Sequence, residues 1–152
     1  MNMQRDARGV AVVTIDNPAK LNTLNTAVMS DLVAAVEALG IDGTLRAVVL
    51  RGAGERAFIG GADINEMADL DPASARAFIT LVHRSCDVFR RLPVPVIARI
   101  RGYVFGAGVE VAAACDMRVA STDAQFGMPE VRLGIPSVVE AALLPQLIGW
   151  GR

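Results

Sequence analysis

The sequence has no excess of charge of either sign and no long uninterrupted apolar run. Its 152 residues include 15 lysines and arginines against 16 aspartates and glutamates, a formal net charge of -1 at pH 7. Nucleic acids and anionic membranes attract basic proteins, so the composition gives no reason to expect either partner. Charges and glycines interrupt the apolar residues throughout, and no basic start leads into an apolar stretch with a cleavage site. We therefore expect a cytoplasmic protein.

Cysteine and histidine are also scarce, which argues against several kinds of site. Cys86 and Cys115 fall inside a predicted helix and at a predicted strand edge, where we expect neither a disulfide framework nor a metal site. His83 is the only histidine and has no serine or cysteine nucleophile motif to pair with, so we expect it to be structural. The glycine-rich segments lack the spacing of nucleotide-binding loops, which argues against an NTP or NAD site.

Periodic apolar residues predict a single α/β domain over residues 1–152. The hydrophobic fraction of 53% is enough to fill one sizeable core in a chain of this length. Short apolar or β-branched runs predict extended segments over residues 10–15, 46–50, 95–100, 117–120 and 125–128. Helical spacing predicts helices over residues 26–39, from the Asp71-Pro72 cap up to Pro93, and over residues 138–147.

Glycine-rich segments follow two of the predicted strands. Residues 57–66 read AFIGGADINE, and residues 102–110 read GYVFGAGVE and open a predicted helix. Small residues let a ligand approach backbone N–H groups, and a helix start adds the positive end of its dipole. Either loop alone is read equally well as a tight turn. Together they form two similar strand, loop and helix units, which suggests one shared site for a negatively charged oxygen.

Four segments resemble, in order, the motifs of the enoyl-CoA hydratase/isomerase (crotonase) superfamily. They are residues 17–25 (NPAKLNTLN), 57–66, 102–110 and 126–130 (FGMPE). The resemblance runs nearly end to end. It implies an α/β fold, the crotonase-like (ClpP/crotonase) spiral of ββα-type repeats, with the C-terminal helical region of the family missing. It also implies a truncated member whose full-length form would be a homotrimer or hexamer.

The same resemblance implies which residues carry the chemistry. The backbone N–H groups of Ala62 and Ala107 would hold the thioester carbonyl oxygen as it becomes an enolate. Glu110 and Glu130 would hold and activate water, with Glu130 delivering a proton to the α-carbon. The residues expected to contact coenzyme A are Lys20, Leu21, Gly60, Gly61, Ala62, Asp63 and Ile64. Because coenzyme A is part of the substrate, no separate cofactor is expected, and no metal.

The function implied is that of an enoyl-CoA hydratase, which adds water to a 2-enoyl-CoA thioester in fatty-acid or related acyl-CoA metabolism. Glu110 favours a hydratase, since isomerases of the family generally rely on the carboxylate at the position of Glu130 alone. The alternatives are an isomerase, another crotonase-type acyl-CoA enzyme, or a noncatalytic acyl-CoA-binding subunit.

Two details of the expected site stay open at the level of the sequence. Lys20 is read equally well as a phosphate contact and as a solvated surface lysine. Residues 131–140 (VRLGIPSVVE) depart from the glycine-rich stretch of many hydratases, which leaves the acyl specificity open. Within that stretch, we expect Glu140 on a helix surface near the N-terminal dipole rather than as a third carboxylate of the pocket.

Overall fold

A computed structural model describes residues 1–151. In chain order its strands and α-helices are β1 (Asn2–Arg5), β2 (Val10–Ile15), α1 (Thr26–Gly40), β3 (Ala47–Gly52), β4 (Ala57–Ile59), α2 (Ile64–Ala68), α3 (Pro72–Arg90), β5 (Val96–Ile100), β6 (Tyr103–Phe105), α4 (Ala107–Ala114), β7 (Met117–Ala120), β8 (Gln125–Gly127) and α5 (Leu144–Ile148). Three short 3-10 turns lie at Pro18–Lys20, Pro129–Leu133 and Ala141–Leu143.

The strands form two sheets, and from β3 onwards successive strands belong alternately to one sheet and the other. The larger sheet has the order β1-β2-β3-β5-β7, with parallel pairing except between β1 and β2. The smaller sheet has the order β4-β6-β8 and is parallel throughout. Each turn of the chain therefore places one strand in the larger sheet, the next in the smaller sheet, and then a helix or 3-10 turn. This arrangement confirms the predicted spiral of ββα-type repeats.

Two helices cover the larger sheet and enclose the core. The side chains that α1 buries are the ones whose spacing predicted the helix: Met29, Leu32, Val33, Val36 and Leu39. Helix α3 packs against α1 and is capped by Asp71, whose carboxylate accepts hydrogen bonds from the amides of Ala73 and Ser74. Both helices form where their apolar spacing predicted them, because each has a capped start and one apolar face to bury.

The strands of the smaller sheet were not all predictable. Strands β4 and β6 have three residues each and lie inside segments that the sequence presents as glycine-rich loops. Three residues are too few to show an alternating pattern, and their pairing depends on partners distant in the chain. Strand β1 was also missed, because its four residues are exposed and carry no apolar pattern.

The predicted helix over residues 138–147 is wrong in its first half. Residues 138–140 are not helical, a 3-10 turn covers Ala141–Leu143, and only Leu144–Ile148 forms an α-helix. The backbone amides of Glu140 and Ala141 donate to a carboxylate of α4, at 3.1 Å each, instead of forming helical bonds. Glu140 is correspondingly buried, with 7% of its surface exposed, and does not lie on a helix surface.

Both cysteines are buried and free, Cys86 in α3 and Cys115 at the end of α4. Across residues 1–151 no helix combines the length and the apolar character needed to cross a membrane. Within the same residues no group of three or more histidine, cysteine, aspartate or glutamate side chains has the arrangement of a metal site.

Asn22 joins the first motif of the chain to the second. Its side chain is fully buried, accepts a hydrogen bond from the amide of Asn17 at 3.0 Å, and donates to the carbonyl oxygens of Ala53 and Ala57 at 3.0 and 2.9 Å. Its φ of +56° lies in the left-handed region, which asparagine tolerates better than most residues. One amide side chain therefore satisfies three backbone groups that would otherwise lose their hydrogen bonds.

Replacing this side chain should destabilise the fold. We expect Asn22→Ala to lower the free energy of unfolding by about 2–4 kcal/mol, because buried donors and acceptors would be left without partners. Asn65→Ala is the matched control at an exposed asparagine and should change it by less than about 0.5 kcal/mol. Urea unfolding followed by circular dichroism measures both, and equal effects of the two substitutions would contradict the role of Asn22.

Candidate active site

A cavity of about 470 Å³ opens between the two glycine-rich loops and the chain after β8. Most of its wall is apolar, and two carboxylates, Glu110 and Glu130, are exposed to it. Ala62 and Ala107 line the same cavity, so the structure brings together all four residues expected to act in catalysis. These four residues therefore share one mostly apolar cavity, in which a charge is solvated less well than in water.

Ala62 lies where the first loop crosses the segment before α1. Ala62 and Leu24 form an isolated parallel β-bridge in which the Leu24 amide donates to the Gly61 carbonyl and the Asp63 amide donates to the Leu24 carbonyl. In a parallel bridge the bonds come from the neighbours of the bridged residue, so the N–H of Ala62 itself points away from Leu24. The bridge thereby fixes the direction of this amide.

Ala107 is the first residue of α4, directly after Gly106. Gly106 has φ +51°, and its amide donates to the Gly127 carbonyl at 3.0 Å, which anchors the loop to the smaller sheet. The first N–H groups of a helix have no acceptor within it, so the Ala107 amide is available to a ligand and carries the positive end of the dipole. Alanine fits here because the positive φ falls on Gly106 and not on Ala107.

The two loops approach one another through Gly108. A Cβ atom at this position would lie 2.3 Å from the Ile59 carbonyl oxygen and 2.9 Å from the Ile59 side chain. Similarly, a Cβ atom on Gly61 would lie 3.2 Å from the carbonyl oxygen of Phe105. Glycine at these positions lets the start of α4 lie directly on β4, which brings the two amide-bearing loops to the same cavity.

Glu110 lies in the first turn of α4 and is almost completely buried, with 4% of its surface exposed. Its Oε1 accepts hydrogen bonds from the amides of Glu140 and Ala141, both at 3.1 Å. Burial raises the pKa of Glu110 above its ordinary value of 4.5, the two amide bonds oppose that rise, and the charges of Glu130 and Glu140 add to it. A carboxylate with a raised pKa holds a proton more strongly, as a general base requires.

Glu130 approaches the site from the 3-10 turn Pro129–Leu133. Its Oε1 lies where a Cβ on Gly106 would be only 2.7 Å away, so the carboxylate rests against the backbone of the second loop. Its Oε2 is buried, and no hydrogen-bond partner for it exists among residues 1–151. A buried carboxylate oxygen without a protein donor is suited to exchange a proton with a molecule in the cavity.

The residues expected to contact coenzyme A divide into two groups. Five of them line the cavity: Leu21, Gly60, Gly61, Ala62 and Ile64. Lys20 and Asp63 do not line it, and instead pair with each other, the Lys20 Nζ lying 3.5 Å from Asp63 Oδ2. Asp63 also caps α2 by accepting from the Asn65 amide, and the Lys20 side chain remains 60% exposed. Lys20 is therefore a solvent-exposed cation close to the rim formed by Leu21 and Gly60.

Much of the apolar wall was not identified from the sequence. Helix α3 contributes Phe78, Ile79 and Val82, and the chain after Gly134 contributes residues 135–139. Phe78 and Val82 were predicted as part of a core-facing stripe, and nothing in their spacing distinguishes core from cavity wall. Ile79 could have indicated the cavity wall, because it is a large apolar residue that lies outside the predicted apolar face of the helix.

A spiral of ββα repeats whose glycine-rich loops meet at one cavity is the crotonase fold. The sequence profile of the enoyl-CoA hydratase/isomerase family matches residues 5–151, and the chain belongs to this family. Its fold is similar to the crystal structure of an enoyl-CoA hydratase from Mycobacterium smegmatis, with a TM-score of 0.95 and 32% identity over 99% of this chain and 58% of that one. An enoyl-CoA hydratase from Bacillus anthracis is similar with a TM-score of 0.93, 32% identity and coverage of 99% and 59%.

Curated relatives give the same result. The chain is 42% identical to the short-chain-enoyl-CoA hydratase of Clostridium acetobutylicum, over 93% of this chain and 55% of the relative. It is 36% identical to the crotonyl-CoA hydratase of Syntrophomonas wolfei, with coverage of 93% and 55%. The chain thus spans a little over half the length of these relatives.

The burial of Glu110 has a measurable consequence for stability. Because its pKa in the folded protein is raised, ionising Glu110 costs folding free energy at pH values above its ordinary pKa, and that cost disappears as the pH falls below it. Glu110→Gln keeps the Oε1 acceptor but cannot ionise. We therefore expect a higher melting temperature than that of the parent at about pH 8, with the difference shrinking towards about pH 4.

Thermal unfolding followed by circular dichroism across this pH range measures the effect. Glu37→Gln, at a half-exposed glutamate of α1 that faces Arg84, is the control and should show no such trend. A melting temperature for Glu110→Gln equal to or below that of the parent at pH 8 would contradict the raised pKa of Glu110 in the folded protein.

Proposed function

We propose that the chain forms the catalytic core of an enoyl-CoA hydratase, which adds water across the double bond of a 2-enoyl-CoA thioester. The observation that carries the proposal is the convergence of Glu110, Glu130 and the residues bearing two loop amides on one apolar cavity. Two carboxylates allow one proton to be taken from water and another to be delivered to the substrate. The relatives named as hydratases support this choice.

The amides of Ala62 and Ala107 would stabilise the charge that develops during the reaction. When the oxygen of water bonds to the β-carbon, the π electrons of the double bond shift through the α-carbon and leave negative charge on the thioester oxygen. Backbone N–H donors in an apolar cavity stabilise such charge strongly, because they need no reorganisation as it forms. The orientation of Ala62 by its β-bridge and of Ala107 by α4 supports this role.

The carboxylates would divide the proton transfers between them. Glu110, whose pKa is raised by burial, takes the proton of the attacking water. Glu130, whose Oε2 has no protein donor among residues 1–151, acts in its protonated form, delivers its proton to the α-carbon and is left ionised. Transfer of the proton from Glu110 back to Glu130 restores both carboxyl groups for the next turnover. The thioester itself stays intact, so the product is the 3-hydroxyacyl-CoA and no redox partner is needed.

Coenzyme A would lie along the rim formed by the first motif and the first loop. Leu21, Gly60 and Ile64 present backbone and apolar surface there, and Lys20 is the exposed cation beside them. Its partner Asp63 offsets part of that positive charge, so Lys20 contributes less to phosphate binding than an unpaired lysine would.

Hydration is tested by the loss of the conjugated thioester absorbance of a short 2-enoyl-CoA. We expect Glu110→Gln and Glu130→Gln each to lower kcat by at least about 100-fold, and Glu37→Gln to leave it within about twofold. Isothermal titration with the saturated acyl-CoA measures binding in parallel. If this chain neither binds the thioester nor turns it over, the proposal fails.

The same variants separate the alternatives. A Glu110→Gln protein that moves the double bond of a 3-enoyl-CoA at the parental rate is an isomerase, since that reaction needs one carboxylate. Binding without either reaction identifies a noncatalytic acyl-CoA-binding subunit. Both alternatives keep the acyl-CoA ligand and replace only the hydration step.

The contribution of the second loop can be isolated by removing a single N–H group. Ala107 is the first residue of α4, a position where proline is favoured in helices but has no N–H to donate. We expect Ala107→Pro to lower kcat by about 100- to 1,000-fold, the usual effect of losing one oxyanion donor. Ala107→Gly retains the N–H and should stay within about tenfold of the parent. Equal losses in both variants, with unchanged circular dichroism, would exclude the amide as a donor.

A further inference from the structure

A group of three polar side chains, those of His83, Arg90 and Glu140, lies behind Glu110 and outside the cavity wall. Glu140 is its centre, with only 9% of its side chain exposed. The His83 Nδ1 lies 2.5 Å from Glu140 Oε1, and an Arg90 guanidinium nitrogen lies 3.8 Å from Oε2. His83 and Arg90 are seven residues apart on α3, which places them two turns apart on one face of that helix. Each carboxylate oxygen of Glu140 therefore faces a different residue of α3.

The backbone of Glu140 is bonded on the opposite side, to the proposed catalytic residue. The amides of Glu140 and Ala141 both donate to Glu110 Oε1. The Glu140 carbonyl accepts from the Leu143 amide at 2.9 Å and closes the 3-10 turn. Glu140 thus connects α3, through its side chain, to the carboxylate of α4, through its main chain.

A buried carboxylate at this position needs an explanation, because it is expensive to keep there. Its side chain does not line the cavity, and it lies close enough to Glu110 for the two negative charges to repel. The titratable groups of α3 that face it are His83, Arg90 and Cys86, and Glu110 faces it from α4. An apolar residue would fill the same space without that cost, so the charge serves the contact with His83 and Arg90.

We propose that His83, Glu140 and Arg90 form a positioning network that holds the turn at residues 140–141 in place, so that its two amides orient Glu110 in the cavity. The network acts through the main chain and touches neither substrate nor reacting atoms. Its value for catalysis rests on the proposed function, whereas the positioning itself is a property of the folded chain and can be measured without substrate. His83, which the sequence suggested was only structural, is the outermost member of this network.

The sharpest test compares two substitutions of His83. His83→Ala removes the donor to Glu140, whereas His83→Asn places an amide nitrogen close to the position of Nδ1 and can restore the hydrogen bond. Arg84→Ala is the matched control, because Arg84 is the next residue of α3, is exposed to a similar extent and faces Glu37 instead. Neither His83 nor Arg84, the two residues substituted, lines the cavity.

Two measurements by NMR on the 152-residue chain report on the turn. In His83→Ala we expect the amides of Glu140 and Ala141 to exchange with solvent at least about tenfold faster than in the parent, relative to amides of α1. The carboxyl carbon of Glu110 should titrate at higher pH in the same variant, because amide bonds that stabilise the ionised form are weakened. His83→Asn and Arg84→Ala should remain close to the parent in both measurements.

Two results would overturn the proposal. One is a His83→Ala protein in which exchange at residues 140–141 and the Glu110 titration are both unchanged. The other is an equal change in His83→Ala and His83→Asn, which would assign the effect to packing of α3 and not to the hydrogen bond. Failure of hydration in the absorbance assay changes neither the amide exchange at residues 140–141 nor the titration of Glu110. The two proposals can therefore fail separately.

Discussion

The site depends on a close approach between two pieces of backbone, the start of α4 and strand β4. Gly108 permits this contact, because a Cβ atom there would lie 2.3 Å from the Ile59 carbonyl oxygen. With α4 lying on β4, the two loops that carry Ala62 and Ala107 open onto one cavity. A larger residue would separate the two repeats, and the loops that carry Ala62 and Ala107 would no longer open onto one cavity.

A second constraint is the presence of charge inside an apolar region. Glu110 is buried almost completely, and the cost of its ionisation is offset in part by two backbone amides from the chain after Gly134. Those amides are available because residues 138–140 do not form a helix. The irregular segment that departs from the glycine-rich stretch of many hydratases therefore has a definite role, which is to complete the environment of a carboxylate on another element.

Part of this site was predictable because the information is local. The order of the four motifs pointed to the two loops and both glutamates. Apolar spacing, together with capping and stop residues, predicted helices α1 and α3 near their observed bounds. Strands β4 and β6 of the smaller sheet and the environment of Glu140 were not predicted. Each depends on a partner far away in the chain, such as β6 for β4, or His83 for Glu140.

The sequence by itself determined the alternation of strands and helices, the glycines that allow close approach, and the kinds of group available for chemistry, because these depend on residue type and on spacing over a few turns. Only the tertiary structure decided which groups meet. It placed Lys20 beside Asp63 and outside the cavity wall, and it turned Glu140 from an expected surface residue into a buried partner of His83. The physical reason is that burial and ion pairing are properties of the packed chain, and the free energy of a charged side chain is set by the neighbours that folding brings to it.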